Sequence, residues 1–364
     1  MKKILTALLS ALLLVSLGIS GEWFLLTGST PRAVVAAIMP PSPAPVPSRP
    51  DFQTGMVFPR WGVDAYGQTD SNYPIGLRDI KEQTGSRWIE LTIDLYQPSY
   101  QSTQVIANRL APTPEALEQG IRAARAMGFH VFVVPLVTVG AAGWAGLIHY
   151  HDPVLTAQWF QSYWRTLQPY VVAAAQGGAD QFAIGTEMMY LEVWAAPALW
   201  NTLISETHLL FPGTLTYDMN FTSVTTQFAS WWENPDLTYL GISEYSSLMT
   251  VDGRLDPASA VPLWRAEIGA GLDAFARRLG KPLIISEIGY TNSANTFYRP
   301  YRGTPTSPPD PAEQAAGYNA TLANVLPDPL IQGVYFWGWS MPSFAPNWLP
   351  AQHVLQQWYT SAAA

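Results

Sequence analysis

Cysteine does not occur in the 364 residues, which removes disulfides, thiolate metal sites and cysteine nucleophiles at once. Charge is scarce too: Asp, Glu, Lys and Arg make up 13% of the chain, and 19 basic residues stand against 27 acidic ones. A net charge of −8 and a pI near 5.1 leave no basic face to neutralise phosphates, so nucleic acid is not an expected partner. No G-x-S-x-G elbow, P-loop or G-x-G-x-x-G turn occurs, so serine hydrolase and nucleotide-binding readings have no foothold. No repeat of solenoid period is visible either. What the chain does have is apolar and aromatic: 48% hydrophobic residues and 15 tryptophans, ample for one large core.

Lys2 and Lys3 precede an uncharged apolar run over 4–19, the pattern of an export signal. Gly18 and Ser20 offer small residues for cleavage, whereas WFLL at 23–26 extends the apolar run. Residues 1–26 therefore read as a cleaved signal peptide or as a membrane anchor with the lysines inside. Residues 27–50, with PPSPAPVPSRP at 40–50, are expected to form an extended polyproline tether. The folded domain is expected over 51–364. The expected location is extracytoplasmic, secreted or held on the outer face of the cytoplasmic membrane, with the N-terminal segment the only membrane contact.

From residue 55 onward, short apolar runs alternate with helical patterns. Strands are predicted at 55–58, 88–97, 130–137, 181–187, 215–220, 239–245, 282–288 and 333–340. Helices are predicted at 71–84, 114–127, 154–175, 198–210, 225–232, 264–279, 311–325 and 351–360. The helix at 114–127 is bounded by chemistry: Thr113 caps it, Pro114 takes the first position and Gly128 stops it. Strand and helix alternating eight times predict an α/β protein, a single (β/α)8 TIM barrel.

Two of the apolar runs end on a glutamate, QFAIGTE at 181–187 and PLIISE at 282–287. A buried parallel strand reads this way when it delivers one ionisable group at its C-terminal tip, the edge where barrel enzymes gather their chemistry. Period-two alternation places Glu187 inward with Gly185 and Ala183, Glu287 with Ile285, and Tyr245 with Ser243 and Gly241. It also places Asp94 and Tyr96 inward with Glu90 and Thr92, and turns Glu244 outward. Two carboxyl groups across one barrel mouth are the minimum equipment for cleaving a glycosidic bond. They stand about 5–5.5 Å apart in a retaining enzyme and about 6.5–9.5 Å apart in an inverting one, and sequence spacing alone does not choose.

Other residues fall around that mouth. Asn220 ends the fifth strand inward and is a candidate sugar ligand. Trp61, Trp337 and Trp339 lie at or just beyond strand ends, where an aromatic face can hold the C–H face of a sugar, and Trp144, Trp194 and Trp348 sit in the loops. Asp94 reads as a hydroxyl ligand or a stabiliser of the mouth, and Arg60 as a sugar contact or a structural ion pair. Glu90 reads as a deeper structural group paired with an arginine. His149 and His151 lack a third ligand at a distance and are read as a subsite wall rather than a metal site.

These stretches resemble glycoside hydrolase family 113, the barrel-type β-mannanases, within the retaining clan that carries catalytic glutamates on strands four and seven. The resemblance rests on FPRWG at 58–62, LYQ at 95–97 with Ser102 and Thr103 downstream, PTPEAL at 112–117, IGTE at 184–187, ISEIGY at 285–290 and FWGW at 336–339. It covers residues 55–345. It implies a retaining hydrolase of β-linked carbohydrate, β-1,4-mannan foremost; no cofactor is expected, and the expected state is a monomer. Glu187 would be its acid/base and Glu287 its nucleophile, with Tyr245 bonded to the nucleophile and Trp337 under the sugar at the cleavage point. Thr186 stands where the clan places asparagine, and Val134, Pro135 and Leu136 replace a basic-Pro-His arrangement. Both departures touch sugar contacts, and they keep open an alternative in which the barrel holds carbohydrate without turnover.

Overall fold

The computed structural model describes residues 48–302 and 307–363, so the expected export segment and nearly all of the tether lie outside the described residues. Nine strands form one sheet: β1 (Gln53–Val57), β2 (Trp88–Gln97), β3 (Ile106–Ala107), β4 (His130–Val139), β5 (Gln181–Thr186), β6 (Thr214–Asn220), β7 (Leu240–Ser243), β8 (Leu283–Ile288) and β9 (Ile331–Phe336). The short β3 runs antiparallel along the end of β2 and is an addition to the predicted set. The other eight pair in parallel, and β1 pairs with both β2 and β9, which closes the barrel. The two predicted glutamate strands, fourth and seventh around the barrel, are β5 and β8.

The helices are α1 (Asn72–Thr84), α2 (Pro114–Ala126), α3 (Pro153–Gly177), α4 (Met189–Trp194), α5 (Pro197–Leu210), α6 (Phe221–Thr226), α7 (Pro257–Trp264), α8 (Ala270–Leu279), α9 (Pro311–Val325) and α10 (Pro350–Ala363). Proline opens many of them, because it lacks the N–H that a first turn leaves unbonded and already holds a helical φ. At four of them the residue before the proline supplies the cap: Thr113 accepts from Ala116 N–H, Asp152 from Val154 N–H, Asp256 from Ala258 N–H, and Asp310 from the N–H groups of Ala312 and Glu313. Among the described residues no helix is long and apolar enough to cross a membrane.

Two helical expectations are corrected. The helix predicted at 225–232 is instead α6, which begins directly after β6 because Asn220 Oδ1 caps it at Thr222 N–H. The tryptophans read into it form a separate turn, Ser230–Glu233, where Trp231 stacks on Trp200 at 4.3 Å. The helix predicted from 264 starts at Pro257, capped by Asp256, and continues through a wider π-turn at Arg265–Gly269 into α8. Helix α4, inserted after Glu187, was not anticipated.

The core has two shells. Val57, Phe132, Val134, Ala183, Ile284 and Tyr335 fill the barrel, while a larger cluster seals the sheet against the helices. The floor of the barrel is polar but closed: Gln53 Nε2 donates to Gln181 Oε1 at 3.1 Å and to Tyr239 at 2.9 Å, and Tyr335 donates to Gln53 Oε1 at 2.6 Å. Gly55 makes room for that tyrosine, since a Cβ there would stand 2.2 Å from its ring.

Register shifts at three pairings, β5–β6, β7–β8 and β8–β9, and the first two lead to a predicted catalytic position. Ala183 and Thr186 pair with Thr216 and Asp218, so β5 carries one residue more than β6 over the same stretch. A Cβ on Gly185 would meet Tyr217, Met188 and Tyr163, all of the outer shell, which corrects the inward reading of Gly185. Gly241 and Ser243 pair with Ile284 and Glu287, an extra residue on β8. Ile285 accordingly lies in the outer shell and Ile284 in the inner one, the reverse of the expected phase. Each extra residue is a β-bulge, which re-aims the strand end that follows it.

Candidate active site

The bulges deliver Glu187 and Glu287 to one cleft of about 590 Å³ at the C-terminal mouth of the barrel. Asn220, Tyr245 and Trp337 line it as well, together with Trp144, Phe221, Thr222, Tyr301, Met341 and Phe344. Both glutamates are half-buried, in reach of a ligand. The indole of Trp337 rests on the inner core, so the cleft has an aromatic base. The Trp337–Gly338 peptide bond is cis.

Glu187 adopts φ of 51°, a left-handed conformation uncommon outside glycine and recurrent at functional sites. Its backbone is held on both sides: its N–H donates to Asp218 O at 2.8 Å, and its carbonyl accepts Met189 N–H at 2.9 Å. Its carboxylate is clamped by two nitrogen donors, Trp144 Nε1 on Oε2 at 2.8 Å and Asn220 Nδ2 on Oε1 at 2.7 Å. Burial pushes this carboxyl up from its ordinary value, and the two donors pull against that push. Glu287 accepts the Tyr245 hydroxyl on Oε1 at 2.6 Å. Burial, then the neighbouring Glu187 and Asp218, raise the Glu287 carboxyl well above the usual range, and the Tyr245 hydrogen bond offsets part of it.

The remaining predicted residues do not line this cleft. Arg60 forms a two-pronged ion pair with Asp70, its Nε 2.8 Å from Oδ2, and so takes the structural option. Trp339 is buried in the outer core, its N–H donating to Val57 O, so its ring is not a sugar platform. Asp94 is 8% exposed and accepts the Thr138 hydroxyl at 2.8 Å. Neither Tyr96 nor the exposed Trp61 is among the residues that line the cleft. Glu90 is buried without an arginine, one of its oxygens unbonded. Glu244 stays out of the cleft, as its outward phase predicts, buried on the Tyr290 side with its carboxylate accepting Ser246 N–H at 2.9 Å. His149 stacks edge-on with His151 and against Tyr190. Among the described residues no group of three or more His, Asp or Glu is placed to hold a metal ion.

Three contributors were missed. Trp144 stands out in the sequence only as a loop tryptophan, and its indole N–H holds Glu187; nothing in its loop marks that partner. Thr222 donates its hydroxyl and its N–H to Asn220 Oδ1, fixing which end of the amide faces Glu187. Asp218 is buried beside both glutamates, its carbonyl accepting Glu187 N–H and its carboxyl bonded to Ser286 next to Glu287, and the alternation Thr216, Asp218, Asn220 against Leu215, Tyr217, Met219 could have exposed it.

The sequence profile of Glycoside Hydrolase Family 113 matches residues 65–353. The chain belongs to Glycoside Hydrolase Family 113. As a family 113 protein it is a glycoside hydrolase. Its fold is similar to that of a solved family 113 β-1,4-mannanase, with a TM-score of 0.74 at 20% identity over 85% of this chain and 99% of the other. The family 113 β-mannanase of Alicyclobacillus acidocaldarius in complex with ManMIm gives 0.72 at 21% identity over 85% and 98%. A β-glucuronidase from Ruminococcus gnavus shares the barrel more distantly, at 0.58 and 11% identity over 85% of this chain and 50% of the other. No match was found among curated proteins.

Proposed function

We propose that this family 113 hydrolase cleaves β-1,4-mannan or a closely related β-linked polysaccharide with retention of anomeric configuration. The observation that carries the reading is the unequal dressing of two carboxyls in one cleft. Glu187 is clamped by two N–H donors, and Glu287 is bonded to a phenol above an aromatic base. Glu287 attacks the anomeric carbon while Glu187 gives its proton to the leaving oxygen, producing a glycosyl-enzyme ester. Glu187 then takes a proton from water as that water breaks the ester. Trp337 supports the sugar that is attacked, and the similar fold of solved β-mannanases supports the choice of mannan. The Lys2–Lys3 and apolar pattern at the N-terminus supports action outside the cytoplasm.

The test is a panel of mannans, glucans, xylans and aryl β-glycosides, with products separated by size and their first-formed anomer followed by NMR. Release of β-anomers from mannan supports the reading; first-formed α-anomers sink the retaining mechanism. Glu187→Ala should lower kcat/KM on mannan by about 10²–10⁴-fold and much less on an aryl glycoside whose leaving group needs no proton.

A further inference from the structure

Asp218 is 1% exposed, and its carboxyl ties the two strands beside it to each other. Ser286 donates to Oδ1 at 2.6 Å and Ser243 to Oδ2 at 3.1 Å. Ser286 immediately precedes Glu287, and Ser243 is the residue paired with Glu287 across β7 and β8. One carboxyl therefore grips both sides of the bulge that delivers Glu287. Gly241 leaves the space for it, since a Cβ there would stand 2.4 Å from Ser286 Oγ. On the opposite flank the Asp218 carbonyl receives the Glu187 N–H.

The groups that face this carboxyl are acids and phenols. Glu187 and Glu192 approach from the β5 side, Glu90 from β2 and Glu287 from β8, with Tyr217 and Tyr245 the neighbouring phenols. Among the described residues no cation is bonded to it. A buried carboxyl among other acids keeps its proton, and here burial first, then Glu187 and Glu192, outweigh the Ser286 and Ser243 hydrogen bonds and push it up to about 8.

We propose that Asp218 is a positioning residue: anchored on Ser243 and Ser286, it sets the bulge from which Glu287 enters the cleft, and it does so as an uncharged carboxylic acid. The role rests on the reading of Glu287 as nucleophile. An uncharged acid bonds both serines without placing another negative charge beside the group that must attack. A serine hydroxyl can donate or accept, so one of the two turns to accept the O–H of the protonated acid while the other goes on donating to its carbonyl oxygen, and an asparagine amide in the same place can be bonded in the same way.

Asp218→Ala, Ser286→Ala, Asp218→Asn and, in parallel, Glu287→Ala would be assayed on mannan oligosaccharides across pH, with melting curves for each. Asp218→Ala and Ser286→Ala should lower kcat by about 10–100-fold with KM within about threefold, because the nucleophile is displaced while the cleft lining stays. Asp218→Asn should recover most of that loss and keep the acid limb of the pH profile in place. An Asp218→Asn protein as impaired as Asp218→Ala at every pH would show that charge is required and overturn the proposal. Ser286→Ala with an intact kcat would remove the tether and overturn it as well. Should Asp218→Ala fail to fold, Ser286→Ala and Asp218→Asn carry the comparison. Product from Glu287→Ala overturns the nucleophile reading itself. An inert Glu287→Ala beside an unimpaired Ser286→Ala overturns the positioning role alone.

Discussion

Asn220 donates to Glu187 Oε1 at 2.7 Å through one end of its amide, while the other end accepts the N–H and the hydroxyl of Thr222. The same side chain thus starts α6 and holds the Glu187 carboxyl, so it cannot flip without giving up both tasks. A residue expected to bind sugar is, in the folded protein, bonded to the acid/base candidate.

Asn220→Ala removes a donor that lowers the Glu187 carboxyl. The expected outcome is a fall in kcat/KM of about tenfold or more and an alkaline limb moved to higher pH, because Glu187 keeps its proton longer. Thr222→Val should shift the limb in the same direction by less. A pH–rate series on mannan oligosaccharides decides it; an unmoved limb in both variants contradicts the clamp.

Trp144→Phe keeps an aromatic ring but deletes the indole N–H on Glu187 Oε2. The alkaline limb should again move up. Losses confined to KM, with the limb fixed, would give Trp144 the role of a platform.

Tyr245→Phe deletes the hydrogen bond that favours the charged form of Glu287. The nucleophile must be ionised, so the acid limb should move to higher pH and kcat fall by about 10–100-fold. Trapping the glycosyl-enzyme with an activated fluoro-sugar should slow in parallel, and a normal trapping rate would count against the assignment.

Buried acids also link stability to pH. Burial pushes Glu192 up to about 7 and Asp218 up to about 8, from ordinary values of 4.5 and 3.8. A raised carboxyl binds its proton more tightly in the folded state. Its contribution is full below the unfolded value and fades as pH rises through the folded one. Melting temperature should therefore decline between pH 5 and pH 8, and Glu192→Gln should flatten the slope. A melting temperature that climbs across that interval would show other groups dominating.

The barrel was legible in the chain because its strands are short apolar runs set off by turn residues and several helices carry their own cap, as at Thr113 and Asp310. Those are local causes, and they act wherever the segment sits. The strand-end positions of Glu187 and Glu287 were legible for the same reason, as were Tyr245, Asn220 and Trp337 in the cleft.

What only the folded chain decided is how those groups are aimed and held. A bulge is a mismatch between two neighbouring strands, so nothing within β5 or β8 alone announces that Gly185 and Ile285 turn toward the helices. Hydrogen bonds between residues far apart in the chain, Trp144 to Glu187 or Asp218 to Ser286, exist only once closure of the sheet brings their strands and loops together. Local propensity placed the acids at the mouth, and long-range packing chose their partners.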